Sequence, residues 1–272
     1  MRINQNIAAF NAYRNLSTTS GQQAKSLEKL SSGFRINRAA DDAAGLTKSE
    51  GLRAEIRGTN QAVKNAQDGI SLVQTAEGAL NEVHSILQRV RELAVGAANT
   101  ATSDGVAEQA EITQLVEELG AIGDRTSFAG KKILGDDAGV YTFQVGAKSG
   151  DTLVVDLNAV DTTNFDGVDL TAIDVSNVGA DFVAILDDLD TAIAHVSTER
   201  STLGAKQNRL EHTIANLQVA SENLSASESR IRDTDMAQEM VAFTRAQILQ
   251  QAGTAMLAQA NQVPQSVLSL LR

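Results

Sequence analysis

Apolar residues recur every seven positions along most of this chain, and the repeat is longest in its last third. Leu189, Val196, Leu203, Leu210, Leu217, Leu224 and Ile231 stand at strict seven-residue spacing with no proline among them. That predicts one helix with a coiled-coil seam, roughly 60 Å long at about 1.5 Å per residue. An earlier stretch, about 43–130, has the same grammar. Val73, Leu80 and Leu87 form one row and Ala76, Val83 and Val90 another, with Ile86 and Leu93 beside them. The small and polar run from Gly96 to Gly105 predicts a break. Ile112, Leu115, Val116 and Leu119 then mark a further helix.

Between these limbs, about 131–180, the period changes from helical to alternating. Val140 to Val145 and Thr152 to Val155 are β-branched runs on either side of Gly146–Asp151, the pattern of a β-hairpin. The stretch after them, 161–179, reads as loop with short strands. The fold expected is mainly α: a long antiparallel α-helical hairpin or coiled-coil bundle, with a small β-hairpin region in mid-chain and the N- and C-terminal helices paired. Residues 1–42 with 233–272 form one expected domain of terminal helices. Residues 43–232 form a long-helix core domain that includes the β region.

Both chain ends are almost free of charge. Residues 3–24 hold only Arg14, and residues 246–271 hold none. Ile3, Ile7 and Phe10 share one helix face near the start. Near the end Leu249, Met256 and Val263 make a seven-residue stripe that Leu270 and Leu271 extend. This is no membrane span, because six Gln and an Asn in the last segment would leave amides unsatisfied in hydrocarbon. An ordinary surface helix would carry Lys/Glu pairs. Uncharged amphipathic ends are suited to packing against copies of themselves, where buried charge would be costly and paired amides are tolerated. Those eight apolar residues are the candidate subunit-packing positions.

Composition narrows the function further. Aromatic residues are 3% and hydrophobic residues 42% of the chain, so the core is aliphatic, which suits helix-on-helix packing. The net charge of −11 is concentrated in residues 133–198, where twelve Asp face the single basic residue Lys148. No clustered Lys/Arg surface exists to displace phosphate counterions, which argues against nucleic acid as a partner. No secretory signal pattern is visible, and on composition alone the chain reads as soluble and cytoplasmic.

Candidate chemistry is sparse. There is no Cys, and His84, His195 and His212 are widely separated and outside any HExxH motif. Asp161, Asn164, Asp166, Gly167 and Asp169 approach a calcium-loop spacing, but Thr162 and Ile173 stand where that loop needs acids. Asp41–Asp42 precedes Ala-Ala-Gly-Leu and reads as a helix start, where anions favour the helix dipole. No nucleophile–base pair or phosphate loop is present. The chain is expected to be no enzyme and to bind no cofactor or metal.

Several motifs carry a family resemblance. They are Ile3-Asn4-Gln5-Asn6, LSSGFRINRAADDAAGL (30–46), GLRAEIRG (51–58), QDGISLVQTAEGALNEV (67–83), LQRVRELAV (87–95) and AEITQLVEEL (110–119) in the first half. LGAKQNRLEHTIANL (203–217), SASESRIRDTDMAQEM (225–240) and ILQQAGTAMLAQANQVPQSVLSLLR (248–272) follow in the second. In order and over nearly the whole length, the chain resembles bacterial flagellin. It would be a minimal form in which only about 135–180 is available for outer domains, and Phe34 and Arg38 stand where smaller residues are common in that family.

The resemblance implies a non-enzymatic subunit that self-assembles into the flagellar filament, the propeller of swimming motility. The terminal helices would line the filament channel and drive polymerisation. It implies an extracellular location reached through flagellar type III export without a cleaved signal peptide, with ends that order on assembly. Partners implied are further copies of the chain, the flagellar cap and hook-junction proteins, an export chaperone, and the vertebrate Toll-like receptor for flagellin. No nucleic acid or membrane is among them. The receptor-contact positions that match are Arg89, Leu93 and Glu111. The alternative is a hook–filament junction protein, which shares the terminal helices.

Overall fold

The structure is a computed structural model that describes residues 6–99, 105–135, 139–157, 162–165, 168–176 and 181–270, with side chains up to residue 262. Five helices dominate it: α1 (Ile7–Ser32), α2 (Ala43–Ala97), α3 (Val106–Arg125), α4 (Phe182–Arg232) and α5 (Met236–Leu270). The expected break after Gly96 is where α2 ends and α3 begins. The chain divides into two compact units, residues 1–54 with 223–272 and residues 55–222.

The unit of residues 55–222 holds nearly all of the hydrophobic core. Both seven-residue rows of α2 are buried (Val73, Leu80 and Leu87; Ala76, Val83 and Val90), as are Leu189, Val196, Leu203 and Leu210 of α4. Leu217, next in the α4 row, is only half-buried. Ile112, Val116 and Leu119 of α3 close the same cluster. Two polar contacts give the pairing direction of α2 and α4. Arg91 Nε donates to Asp190 Oδ1 at 2.6 Å, and the Ser221 hydroxyl donates to Asn60 Oδ1 at 3.0 Å. These contacts lie 31 residues apart on both helices, so the limbs run antiparallel without a slip in register.

The expected hairpin is β3 (Val140–Gln144) paired antiparallel with β4 (Thr152–Asp156), Thr142 opposite Val154. It lies against α2 where that helix is smooth. A Cβ on Gly69 would sit 3.4 Å from the Phe143 ring, and one on Gly58 would sit 3.0 Å from the Ala147 methyl. Asn65 Nδ2 donates to the Gln144 carbonyl at 3.0 Å, satisfying backbone at the end of the strand. A second, shorter hairpin joins β1 (Ser127–Phe128) to β2 (Lys131–Lys132). Its turn residues Ala129 and Gly130 have φ of 51° and 79°, the left-handed pair that a two-residue hairpin turn requires. A third pairs β5 (Asn164–Phe165) with β6 (Val168–Asp169), the short strands expected after residue 161.

In the other unit α1 and α5 run side by side. Asn6 caps α1 by accepting from the Ala9 N–H at 3.1 Å, and Gly33 ends it in the left-handed conformation at φ 75°. The Asp42 carboxylate accepts from the Gly45 N–H at 2.9 Å, the helix-start role expected for it. Asp41 instead accepts from the backbone N–H groups of Arg38 and Asn37, which hold its carboxyl below the ordinary range. Phe34 forms a bridge with Asp233 and stacks under the Arg232 guanidinium, 4.6 Å from the ring centre. Arg38 pairs with Glu28 at 2.9 Å. Asp235 caps α5 through the N–H groups of Ala237 and Gln238.

Candidate assembly surface

The face that α1 turns to α5 is a heptad seam of unusual composition. Ala9, Ala12, Leu16, Thr19, Gln23, Ser26 and Leu30 are shielded positions of α1 at alternating spacings of three and four, with Glu28 and Lys29 beside the last of them. On α5 they are Glu239, Phe243, Ala246, Gln250, Gly253, Leu257 and Ala260. Small residues at 246, 253 and 260 let the backbones approach. A Cβ on Gly253 would lie 3.2 Å from Leu16 Cδ1. Asn6 Nδ2 donates to the Ala260 carbonyl at 2.7 Å, and the Lys29 ammonium lies 4.0 Å from the Glu239 carboxylate. Among the described residues of the two helices only Ser26 and Ala246 are buried, so this part of the seam removes little apolar surface from water.

Outside the seam α1 and α5 expose large apolar side chains among uncharged polar ones. Ile7 is 67% exposed, Phe10 71%, Leu249 50% and Met256 64%. Tyr13, Leu27, Met236, Met240, Val241 and Ile248 are exposed as well. Ten of the sixteen exposed large hydrophobic residues among the described residues therefore fall in the smaller-cored unit, which points to a missing partner there. Met240, Val241, Thr244, Arg245, Ile248 and Leu249 line a shallow groove along α5. Arg245 is its only charged group, and no charge follows until Arg272.

Of the sequence-derived packing positions, Ile7, Phe10, Leu249 and Met256 thus stand on the open face rather than in the seam. Ile3 and Leu271, and the side chains of Val263 and Leu270, lie outside the described residues. So do Asp161, Asp166 and Gly167 of the calcium-like run. The terminal helices pair as expected, but hydrophobic spacing did not pick out the seam, because Ala, Gly and polar residues interrupt Leu16, Leu30, Phe243 and Leu257 along it. It also passed over Met240, Val241 and Ile248, although the last two are themselves seven apart.

Arg89, Leu93 and Glu111 come together on the larger unit. Arg89 Nη2 lies 2.8 Å from Glu111 Oε1, and its Nη1 lies 3.3 Å from Glu92. The hydrogen bonds that Arg89 donates to Glu111 and then to Glu92 raise the guanidinium pKa. Leu93 packs half-buried against the core beside them. Among the described residues no three His, Asp or Glu side chains gather as a metal site, and no helix is long and apolar enough to cross a membrane.

Comparison with known proteins adds a second line. The family profile of the bacterial flagellin N-terminal helical region matches residues 3–138, and that of the C-terminal helical region matches residues 186–271. A flagellin of Halalkalibacterium halodurans is 55% identical over 274 residues, covering 100% of both chains. A flagellin of Bacillus subtilis is 50% identical over 306 residues, again with 100% of both covered. A crystal structure of Bacillus cereus flagellin, 28% identical, overlaps 61% of this chain and 94% of that one at a TM-score of 0.49.

Proposed function

Because this chain belongs to the bacterial flagellin family and is a self-assembling structural subunit of the extracellular flagellar filament, we propose that its copies pack through the open apolar face of α1 and α5. The observation that carries this reading is the mismatch within one unit: among the described residues the seam of α1 and α5 buries only Ser26 and Ala246, while ten large apolar side chains stand exposed outside it. A helix pair that buries so little gains most by burying its outer face against neighbours. Residues 1–42 with 233–272 act as the inner polymerisation domain. Ile3, Ile7, Phe10, Leu249, Met256, Val263, Leu270 and Leu271 are its packing residues, and Met240, Val241 and Ile248 join them. Residues 43–232 form the long-helix core domain with the β region. Full-length likeness to flagellins favours the filament over the hook–filament junction.

The same reading extends to partners. Cap and hook-junction proteins meet the ends of the polymer, an export chaperone covers the apolar face before assembly, and export runs through the flagellar type III apparatus. Arg89, Leu93 and Glu111 offer the contact for the vertebrate Toll-like receptor, supported by their clustering on one exposed patch. Electron microscopy of the purified chain after seeding tests the core of the proposal. Long tubular filaments are expected; a chain that stays monomeric beside growing seeds contradicts it.

A further inference from the structure

The chain has four methionines and no cysteine, so thioethers are its only sulfur that can be oxidised. Three of the four, Met236, Met240 and Met256, stand on α5, each about half exposed or more (47%, 50% and 64%). Met236 and Met240 are one helical turn apart, and Met240 lines the apolar groove with Ile248 and Leu249. Met256 lies one heptad beyond Leu249. The well-packed unit of residues 55–222 contains no methionine. Oxidisable sulfur is therefore gathered on the face with the least internal packing.

We propose that Met236, Met240 and Met256 form an oxidation-sensitive modification site on the unassembled subunit, at which hydroperoxides block polymerisation. The inference rests on the reading that the open face of α5 packs between copies. A thioether sulfur attacks one peroxide oxygen and the O–O bond breaks. Sulfur is oxidised to the sulfoxide, and the peroxide is reduced to water as the proton passes to the departing oxygen. The product is polar and chiral where an apolar chain stood, and it is reversible by methionine sulfoxide reductases. Polymerisation would enclose the three sulfurs and protect them, so the free subunit is the sensitive form. Helix α5 makes no use of these side chains in its seam with α1, so the folded subunit tolerates the change.

The test treats the full-length monomer and seeded filaments separately with hydrogen peroxide, maps sulfoxides by peptide mass spectrometry and measures seeded growth. A triple variant, Met236→Leu, Met240→Leu and Met256→Leu, keeps Met1 as an internal control. Oxidised parent should show a critical concentration raised roughly tenfold or more, since fully burying one Met side chain is worth about that factor. Reductase treatment should restore growth, the triple variant should be indifferent to peroxide, and filaments should be modified far more slowly. Normal growth of fully oxidised parent overturns the proposal, as does an equal loss in the triple variant. A Leu249→Lys variant separates the two levels of argument. If it fails to polymerise while oxidised parent grows, the packing face stands and the oxidation site falls. If it polymerises normally, the packing face itself is wrong.

Discussion

Asn6 holds the one carbonyl of α5 that Pro264 leaves without its helical partner: Asn6 Nδ2 donates to the Ala260 carbonyl at 2.7 Å. Proline has no N–H to return to the residue four before it, and the interruption would ordinarily end or kink the helix. Here α5 continues to Leu270. The same asparagine caps α1 through its Oδ1, so one amide serves both chain ends.

Replacing Asn6 with Ala removes a cap and a bridging hydrogen bond, each worth about 1 kcal/mol. The expected outcome is a filament that melts at lower temperature, with faster amide exchange over the last two turns of α5. In a Pro264→Ala background the backbone supplies its own N–H, and the same substitution should cost clearly less. Equal losses in both backgrounds would show that the Asn6–Ala260 contact does not compensate for the proline.

Gly253→Leu should separate α1 from α5 and lower filament yield, because a branched side chain extends past the Cβ position into Leu16. Gly253→Ala should be tolerated. Its Cβ would press only on the flexible end of Leu16 at 3.2 Å and meet the Leu16 Cβ and Cα at ordinary contact distances of 3.8 and 4.0 Å, and removing a mid-helix glycine returns roughly 1 kcal/mol of helix propensity. Filament yield and melting temperature for the two variants read this directly.

How legible these features were in the sequence depended on side-chain size. The long limbs were plain, since Val73, Leu80, Leu87 and Leu189 to Leu210 bury large apolar groups at a fixed period. The hairpin of Val140–Gln144 and Thr152–Asp156 was visible through its β-branched runs and glycine turn. The pairing of α1 with α5 was expected from the two uncharged ends, but its seam was not located, because Ala246, Gly253 and Ala260 pack through their lack of side chain and leave no hydrophobic signal. The conspicuous stripe of Leu249 and Met256 instead marks what the seam leaves out. The turn at Ala129–Gly130 escaped because two-residue strands are too short to show a period.

Acid should weaken the α2–α4 contact. The hydrogen bond from Arg91 holds the Asp190 carboxyl below its ordinary value of 3.8. A carboxyl lowered on folding adds stability above its unfolded value and loses it as pH falls from 3.8 through the lower folded value. Asp190→Asn should therefore melt slightly below the parent at neutral pH, the small effect expected of an exposed pair. The difference should close in strong acid. Melting curves across that range check it, and a gap that widens on acidification would contradict the assignment.

Arg89→Ala should reduce signalling by soluble protein in a Toll-like receptor reporter assay, since it removes the group that organises Glu111 and Glu92. The response to intact filament, if that patch is covered by neighbours, should be low for parent and variant alike. An unchanged response to soluble variant would remove Arg89 from the receptor contact.

The most direct measurement of the central claim places one charge on the open face. Met256→Lys would bury an ammonium at every copy of the interface, at a cost of several kcal/mol per ion even after relaxation. It faces away from the seam, so the monomer should melt as the parent does while seeded growth is lost. Filaments from Met256→Lys at parental yield would contradict packing through this face.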